Sequence, residues 1–244
     1  MSRQDLDIPT DDGKARAHLF LPDTPNAARS AVIMYMDGIG FRPALDEMAE
    51  RYASEGYAVL LPDLFYRFGH YASMDAKTAF RNEDTKAQIM GRIGGTTQDM
   101  SRRDSRAFLQ VLADAGATGP VGVVGYCMGG ARALHAAAAY PDRIRAAATF
   151  HGGQLAGDAP DSPHLVATQI KARVYIGCAG VDGSFPPEQS ARLAEALRRG
   201  EVDHAIENYV GSAHGWTVPD HLAFNADAAE RHWKRVFTLL AETL

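Results

Sequence analysis

At positions 125 to 130 the chain reads Gly125-Tyr126-Cys127-Met128-Gly129-Gly130. An apolar run, Val121 to Val124, precedes this stretch, and an alanine-rich segment, Ala131 to Ala139, follows it. A strand that leads through glycine, nucleophile and glycine into a helix is typical of a nucleophile elbow. The glycines leave room for the strand and the helix to pack closely around a strained turn. The pattern therefore predicts Cys127 as a catalytic nucleophile.

A cysteine nucleophile needs activation, because a thiol with an ordinary pKa of about 8.5 is mostly protonated at pH 7. The start of the following helix favours the thiolate, and a histidine held by a carboxylate completes the activation. In this type of fold the chain order is nucleophile, acid, histidine. Asp182 and His214 follow later apolar runs in that order, each in a glycine-flanked loop. We therefore expect His214 as the base and Asp182 as the acid that orients it.

Other acidic and sulfur-containing side chains compete for these roles. Asp203 and Asp220 are weaker alternatives to Asp182, since one precedes the last strand and the other lies beyond the histidine. Asp182 could also be a turn residue, because it stands next to a glycine. Cys178, at the end of a different predicted strand, is interpreted as a packed residue.

An oxyanion hole requires two backbone amides near the nucleophile. In an elbow of this type one amide belongs to the residue after the nucleophile, here Met128, and the other to a loop after an earlier strand. That loop runs from Met36 to Arg42 and contains two glycines. Ile39 is the favoured second donor, with Gly38 as an alternative.

Size and composition limit the classes of function. The 244 residues, 46% of them hydrophobic, suit one α/β domain over residues 1–244. A net charge of -5 without a basic block makes nucleic acid and anionic membranes poor partners. Two cysteines and a polar amino-terminal segment indicate a cytoplasmic protein. We expect no metal or other cofactor, a small-molecule partner, and a monomer or homodimer.

Strands and helices alternate along the chain, which predicts an α/β-hydrolase fold: a mostly parallel central sheet with helices on both faces. The predicted strands are 15–21, 31–36, 57–61, 121–125, 144–150, 172–178 and 205–210. The predicted helices are 43–54, 76–90, 98–115, 128–139, 187–199 and 221–240. The irregular segment 65–95 is expected to lie over the carboxyl ends of the strands, where ligands bind in open α/β sheets.

The chain resembles the dienelactone hydrolase family. The resemblance is carried by the cysteine elbow at 125–130, by Leu61-Pro62-Asp63-Leu64 and by the acidic residue after the second strand, and it extends from about residue 12 to the end. Members of this family are α/β-hydrolases that cleave small lactones and esters, carboxymethylenebutenolide being the defining substrate. The resemblance implies a triad of Cys127, Asp182 and His214.

The resemblance also implies a gate on the nucleophile. In the family an acidic side chain after the second strand pairs with the thiol in the resting enzyme, and substrate binding displaces it. Asp37 occupies the matching place, although it is one methylene shorter than the usual glutamate. A carboxylate beside a thiol favours the neutral thiol, which would protect Cys127 from oxidation. The alternative is an aspartate that only caps its own loop.

Substrate contacts are the least determined part of the site. Family members that bind anionic dienelactones hold the carboxylate with arginines, one of them shortly after the histidine, where this chain has none. The candidate substrate-binding residues, drawn from other loops and from positions next to the predicted triad, are Arg42, Arg67, Arg81, Tyr126, His151 and Trp216. Each arginine could instead be a solvated surface residue, and the histidine a buried polar one.

Three other functions compete with lactone hydrolysis. A carboxylesterase or thioesterase of broad tolerance keeps the same fold and changes the substrate, and the missing arginine favours it. A protein that senses oxidants through Cys127 would be non-hydrolytic, with Cys178 as an unpromising resolving partner. A nucleotide phosphate-binding loop is the weakest of the three, because the glycine-rich turn lacks the Lys-Ser/Thr of a P-loop.

Overall fold

The computed structural model describes residues 1–26 and 28–244, and it contains one sheet of eight strands. The strands are β1 (Ser2–Thr10), β2 (Gly13–Leu21), β3 (Ala31–Tyr35), β4 (Ala58–Pro62), β5 (Val121–Tyr126), β6 (Ile144–Phe150), β7 (Arg173–Val181) and β8 (His204–Ala213). The α-helices are α1 (Pro43–Ser54), α2 (Glu83–Gly95), α3 (Gln98–Asp114), α4 (Met128–Ala139), α5 (Pro187–Arg199) and α6 (Ala226–Thr243). Two 3₁₀ helices span Tyr66–Phe68 and Pro163–Gln169.

The sheet has the order β1-β2-β4-β3-β5-β6-β7-β8, and the strands from β3 to β8 pair in parallel. Every residue of β3, β4 and β5 is buried. Because neighbouring side chains of a strand point to opposite faces, complete burial means that both faces are covered. The predicted α/β-hydrolase arrangement, a mostly parallel sheet between helices, is confirmed.

The amino-terminal strand β1 was not among the predicted strands. It pairs antiparallel with β2 across the turn at 11–12, and β2 in turn pairs antiparallel with β4. Most residues of β1 are exposed, because the strand lies at the edge of the sheet. Its polar composition therefore gives no apolar pattern, and the pairing depends on the apolar partner strand.

Two helices begin later than the sequence predicts. Helix α2 was expected from residue 76 and begins at Glu83, where the side chain of Asn82 accepts a hydrogen bond from the Thr85 amide at 3.0 Å. Helix α6 was expected from residue 221 and begins at Ala226, where Asn225 caps the Ala228 amide at 3.1 Å. Asparagine caps of this kind satisfy amides that have no partner within the helix.

The topology gathers the predicted site residues at one edge of the sheet. Because β5, β6, β7 and β8 run in parallel, the segments that follow them all leave from their carboxyl ends. Cys127 follows β5, Asp182 follows β7, and His214 follows β8. Among the described residues, no helix is long and apolar enough to cross a membrane.

Candidate active site

Cys127 lies on a sharp turn between β5 and α4. Its backbone has φ 55° and ψ −120°, a conformation that L-residues rarely adopt. The turn requires two bare glycines: a Cβ on Gly125 would lie 2.0 Å from the Gly129 carbonyl oxygen, and one on Gly129 would lie 2.4 Å from the Tyr35 carbonyl oxygen. The predicted elbow geometry is present, and it projects residue 127 into a cavity.

The side chain of His214 joins the loops that follow β7 and β8. Its Nδ1–H donates to Asp182 Oδ2 at 2.6 Å, which leaves Nε2 available for a second partner. The other oxygen, Asp182 Oδ1, accepts from the amide of Ser184 at 2.8 Å and from its hydroxyl at 2.6 Å. Asp182 is thus buried and fixed in orientation, and it holds the imidazole in turn.

The imidazole of His214 interacts with Cys127 as well as with Asp182. Burial alone would lower the pKa of His214, but the electrostatic interaction with Cys127 and the hydrogen bond to Asp182 outweigh it and raise the pKa to about 10. Burial also opposes ionisation of Asp182, yet its bonds to His214 and Ser184 lower its pKa. The arrangement therefore favours a protonated His214 beside Cys127.

The other acidic candidates for the partner of His214 are engaged elsewhere. Asp203 pairs with Arg173 at 2.6 Å, and Asp220 pairs with Arg42 at 2.8 Å. Among the described residues, neither of these two carboxylates forms a hydrogen bond with the His214 imidazole. Of the three carboxylates that the sequence offered, the structure brings only Asp182 to His214.

The backbone amides that could form the oxyanion hole differ in whether they already donate a hydrogen bond. Met128 is the first residue of α4, so its amide has no acceptor within the helix. The amide of Ile39, the favoured second donor, already donates to Asp37 Oδ1 at 3.0 Å. The amide of Gly38 has no hydrogen-bond partner among the described residues. Gly38, the alternative, therefore offers a free amide where the favoured Ile39 does not, and the identity of the second donor stays a prediction.

Asp37 does not pair with the thiol in this structure. Its two carboxylate oxygens accept from Arg42 Nη1 and Nη2, both at 2.7 Å, and one of them also accepts from the Ile39 amide. Asp37 lines a small cavity of about 20 Å³ that Cys127 also lines. The expected gate is thus replaced by a bidentate ion pair, because a fixed guanidinium satisfies the shorter side chain within its own loop.

The main cavity beside Cys127 has a volume of about 500 Å³. Part of its wall comes from the segment that the sequence placed over the strand ends. Besides Cys127, Asp182, Ser184 and His214, the lining residues are Phe80, Met90, Ile93, Gln98, Met128, Ala131, Arg132, Gly153, Gln154 and His221. Half of these ten residues, Phe80, Met90, Ile93, Met128 and Ala131, carry apolar side chains, which is typical of a pocket for a small organic molecule.

None of the three predicted arginines lines this cavity. Arg42 is buried between Asp37 and Asp220. Arg67 pairs with Asp104 at 2.8 Å and with Asp12 at 2.7 Å. Arg81 is exposed and lies outside the lining. Each has a structural or surface role in this structure because ion pairs or solvent already satisfy its charge.

Two of the predicted aromatic contacts are core residues. Tyr126 is fully buried, and its hydroxyl bonds to the Tyr52 hydroxyl at 2.7 Å and to His232 Nε2 at 2.9 Å. Trp216 is also fully buried and stacks on Tyr209 with 4.7 Å between ring centroids. Neither is among the residues that line the cavity, because both side chains are buried in the core.

His151 lies between the core and the site. It is buried, and its Nε2 bonds to the Thr217 hydroxyl at 2.7 Å, as the buried-polar alternative expected. Its ring centroid lies 5.0 Å from that of His214, and it lines the small cavity. Burial lowers the pKa of His151 well below its usual value, so the ring is neutral. A direct substrate contact by His151 stays a prediction.

Sequence reasoning missed Arg132 and His221, which both line the main cavity. Arg132 lies on α4. The only sequence signal for a place in the site was its position in the helix that follows Cys127. His221 accepts a hydrogen bond from the Ala223 amide at Nδ1, 3.1 Å away, and burial lowers its pKa. Its neutral ring therefore carries its proton on Nε2.

Residues 15–244 match the family model described as the dienelactone hydrolase family. A predicted carboxymethylenebutenolidase of Synechocystis is 25% identical over 223 residues, covering 87% of this chain and 86% of its own. The crystal structure of a predicted dienelactone hydrolase from Klebsiella pneumoniae has a TM-score of 0.83 at 20% identity, covering 98% of each chain. The dienelactone hydrolase-like promiscuous phosphotriesterase P91, from metagenomic libraries, has a TM-score of 0.78 at 24% identity, covering 100% of this chain and 99% of its own.

Proposed function

The chain belongs to the dienelactone hydrolase family, and from this premise we propose that it hydrolyses small lactones or carboxylic esters through a triad of Cys127, Asp182 and His214. The observation that carries the proposal is His214 between two partners, Asp182 at Nδ1 and Cys127 on the cavity side. A histidine held in this way can donate and accept protons at one atom, Nε2.

In the first half of the reaction the Cys127 thiolate attacks the carbonyl carbon of the ester. The carbonyl electron pair moves to oxygen, and the amides of Met128 and Gly38 stabilise this oxyanion. When the tetrahedral intermediate collapses, the bond to the leaving oxygen breaks and the His214 imidazolium gives that oxygen its proton. The product is a thioester on Cys127. When the substrate is a lactone, the released oxygen belongs to the same molecule and stays attached to the acyl group.

In the second half a water molecule replaces the leaving group. Neutral His214 takes a proton from the water as it attacks the thioester carbonyl, and Asp182 stabilises the imidazolium that forms. Collapse of the second intermediate breaks the carbon–sulfur bond and returns the electron pair to Cys127 as thiolate. The acid is released, and the thiolate and imidazolium pair is restored. No step of this reaction requires a cofactor.

A carboxylesterase or thioesterase of broad tolerance is the second candidate, and the apolar lining of a 500 Å³ cavity favours it over an enzyme restricted to compact lactones. An oxidant sensor that forms a Cys127–Cys178 bond is less compatible with the fold. Strand β6 lies between β5, which Cys127 follows, and β7, which contains Cys178, so the two cysteines are about 10 Å apart. A disulfide tolerates at most about 7 Å between Cα atoms.

The test is an activity panel of short aryl esters, an unsaturated lactone and acyl thioesters. We expect Cys127→Ala to abolish turnover of every substrate that the wild type hydrolyses. The matched control is Cys178→Ala, which removes the other free thiol and should keep activity within a few-fold. Undiminished turnover in Cys127→Ala contradicts the proposal, and the substrate turned over fastest decides between lactonase, esterase and thioesterase.

A further inference from the structure

His221 lies where the two cavities of the site meet. It lines both the main cavity and the small cavity of about 20 Å³, and so do Phe80, Cys127 and His214. A space of this size accepts one group as large as a water molecule, so its occupant contacts the residues around it. Among these four residues, His221 is the polar one that has no role in the proposed reaction.

One edge of the His221 ring is held by its own loop. Nδ1 accepts a hydrogen bond from the Ala223 amide at 3.1 Å. A Cβ on Gly215 would lie 2.5 Å from the same nitrogen, so this edge packs directly against the backbone. The His221 amide donates to the Val218 carbonyl oxygen and its carbonyl oxygen accepts from the Phe224 amide, each at 3.0 Å. These contacts leave Nε2 as the ring nitrogen that is available to a ligand.

The ring of His221 is neutral and offers an N–H group. Burial lowers its pKa, and the charges of His214 and Arg42 act in the same direction. Asp37 and Asp220 oppose this effect without reversing it. Because Nδ1 accepts a hydrogen bond, the single proton of the neutral ring is on Nε2. This N–H has no hydrogen-bond partner among the described residues, so it can donate to a group in the cavities.

The small cavity suits the carbonyl oxygen of the substrate. A carbonyl oxygen lies about 1.2 Å from its carbon, so it must enter the space beside the carbon that Cys127 attacks. The main cavity, at about 500 Å³, has room for the acyl and alkoxy groups. The small cavity is lined by Gly38, whose amide has no partner among the described residues. Asp37 lines it as well, but the hydrogen bonds from Arg42 offset the carboxylate charge.

We propose that the Nε2–H of His221 donates a hydrogen bond to the carbonyl oxygen of the substrate and stabilises the oxyanion that forms there, as a third donor beside the amides of Met128 and Gly38. This inference rests on the proposed function and deepens it. A neutral imidazole can act in this way without giving up its proton. His214 transfers the protons of the reaction, and His221 keeps its own throughout. Because the hydrogen bond strengthens as charge develops on the oxygen, it accelerates the reaction more than it tightens substrate binding.

The experiment compares para-nitrophenyl butanoate with its thionoester analogue, in which sulfur replaces the carbonyl oxygen. Sulfur is a weak hydrogen-bond acceptor, so a lost donor should affect mainly the oxygen ester. We expect His221→Phe to lower kcat and kcat/KM for the oxygen ester equally, by about tenfold to a hundredfold, and to change the thionoester by less than about threefold. His221→Gln, which keeps an N–H donor, should retain part of the rate. The control is His70→Phe, at an exposed position outside both cavities, which should leave both esters unchanged.

The outcomes separate this role from the proposed function. Equal losses for the two esters in His221→Phe, or no loss for either, overturn the third donor, while hydrolysis that depends on Cys127 keeps the function. If the wild type hydrolyses neither ester, the proposed function itself is wrong and the inference fails with it.

A measurement on the wild type decides if the His221→Phe chain fails to fold. Butanal should add to the Cys127 thiol as a hemithioacetal, whose oxygen takes the place of the oxyanion. The Nε2–H proton of His221 should then move downfield in the NMR spectrum of protein labelled with ¹⁵N-histidine. An adduct confirmed by mass without this change in the His221 signal overturns the proposal.

Discussion

At the scale of single residues, the site depends on how tightly the backbone packs around Cys127. The three catalytic candidates could be predicted because their order and their loop positions can be read directly from the sequence. Parallel strands then bring these loops together at one edge of the sheet. The partner of Asp37 could not be predicted, because its two hydrogen bonds to Arg42 depend on how one loop folds back on itself. Arg132 was missed for a similar reason: nothing in its neighbours shows which helix face meets the cavity.

Gly125 provides the test at this scale. We expect Gly125→Ala to destabilise the protein by about 3 kcal/mol or more and to remove activity, because the new Cβ would lie 2.0 Å from a backbone oxygen that cannot move independently. The same substitution at Gly91, in α2, meets nothing within 4 Å and should stabilise the helix by up to about 1 kcal/mol. Urea denaturation of both variants measures the difference, and equal stability contradicts the steric account.

At the scale of elements, the loop after β3 is fastened by a buried ion pair. Arg42 precedes α1 and bonds to Asp37 and Asp220, so it links this loop to the segment after His214. The sequence located the loop correctly and assigned its charged residues to gating and substrate binding. Only tertiary contacts show that these charges satisfy each other. The linkage holds the Gly38 amide next to the cavity that Cys127 lines.

Removing Arg42 should therefore cost more than removing a surface arginine. We expect Arg42→Ala to lower the free energy of unfolding by roughly 3–5 kcal/mol, because Asp37 would be left buried without a counter-charge. Arg199→Ala breaks an exposed i,i+4 pair with Glu195 and should cost less than about 1 kcal/mol. Chemical denaturation checks both values. Similar small losses in the two variants would show that the Asp37 pair contributes little.

At the scale of the whole molecule, most strand limits follow from apolar runs that need burial on both faces. The elements that were not predicted correctly lie where the apolar pattern is weak. Edge strand β1 is polar because it is exposed, and the starts of α2 and α6 are set by single asparagine caps inside polar segments. The far edge of the sheet is joined to α6 by Glu207, which bonds to Arg231 and Arg235.

This link makes stability depend on pH in a defined window. Burial opposes ionisation of Glu207, but Arg235, Tyr175 and Arg231 lower its pKa to about 2, from an ordinary value of 4.5. A depressed folded-state pKa stabilises the fold above pH 4.5, and the contribution is lost as the pH falls towards 2. Glu207→Gln should therefore be less stable than the wild type at pH 7, with the gap closing below pH 4.5. A gap independent of pH would contradict this origin.

The proposed hydrolysis depends on acyl transfer to one sulfur, and that step can be observed directly. The measurement is acid quenching during turnover of a para-nitrophenyl ester, followed by mass spectrometry of the intact chain and of its peptides. His214→Ala should slow both acylation and deacylation, since it lacks the base that activates the thiol and the water. We predict the mass of one acyl group on the peptide that contains Cys127. Turnover that proceeds with an unmodified Cys127, or with the acyl group on another residue, would contradict the account.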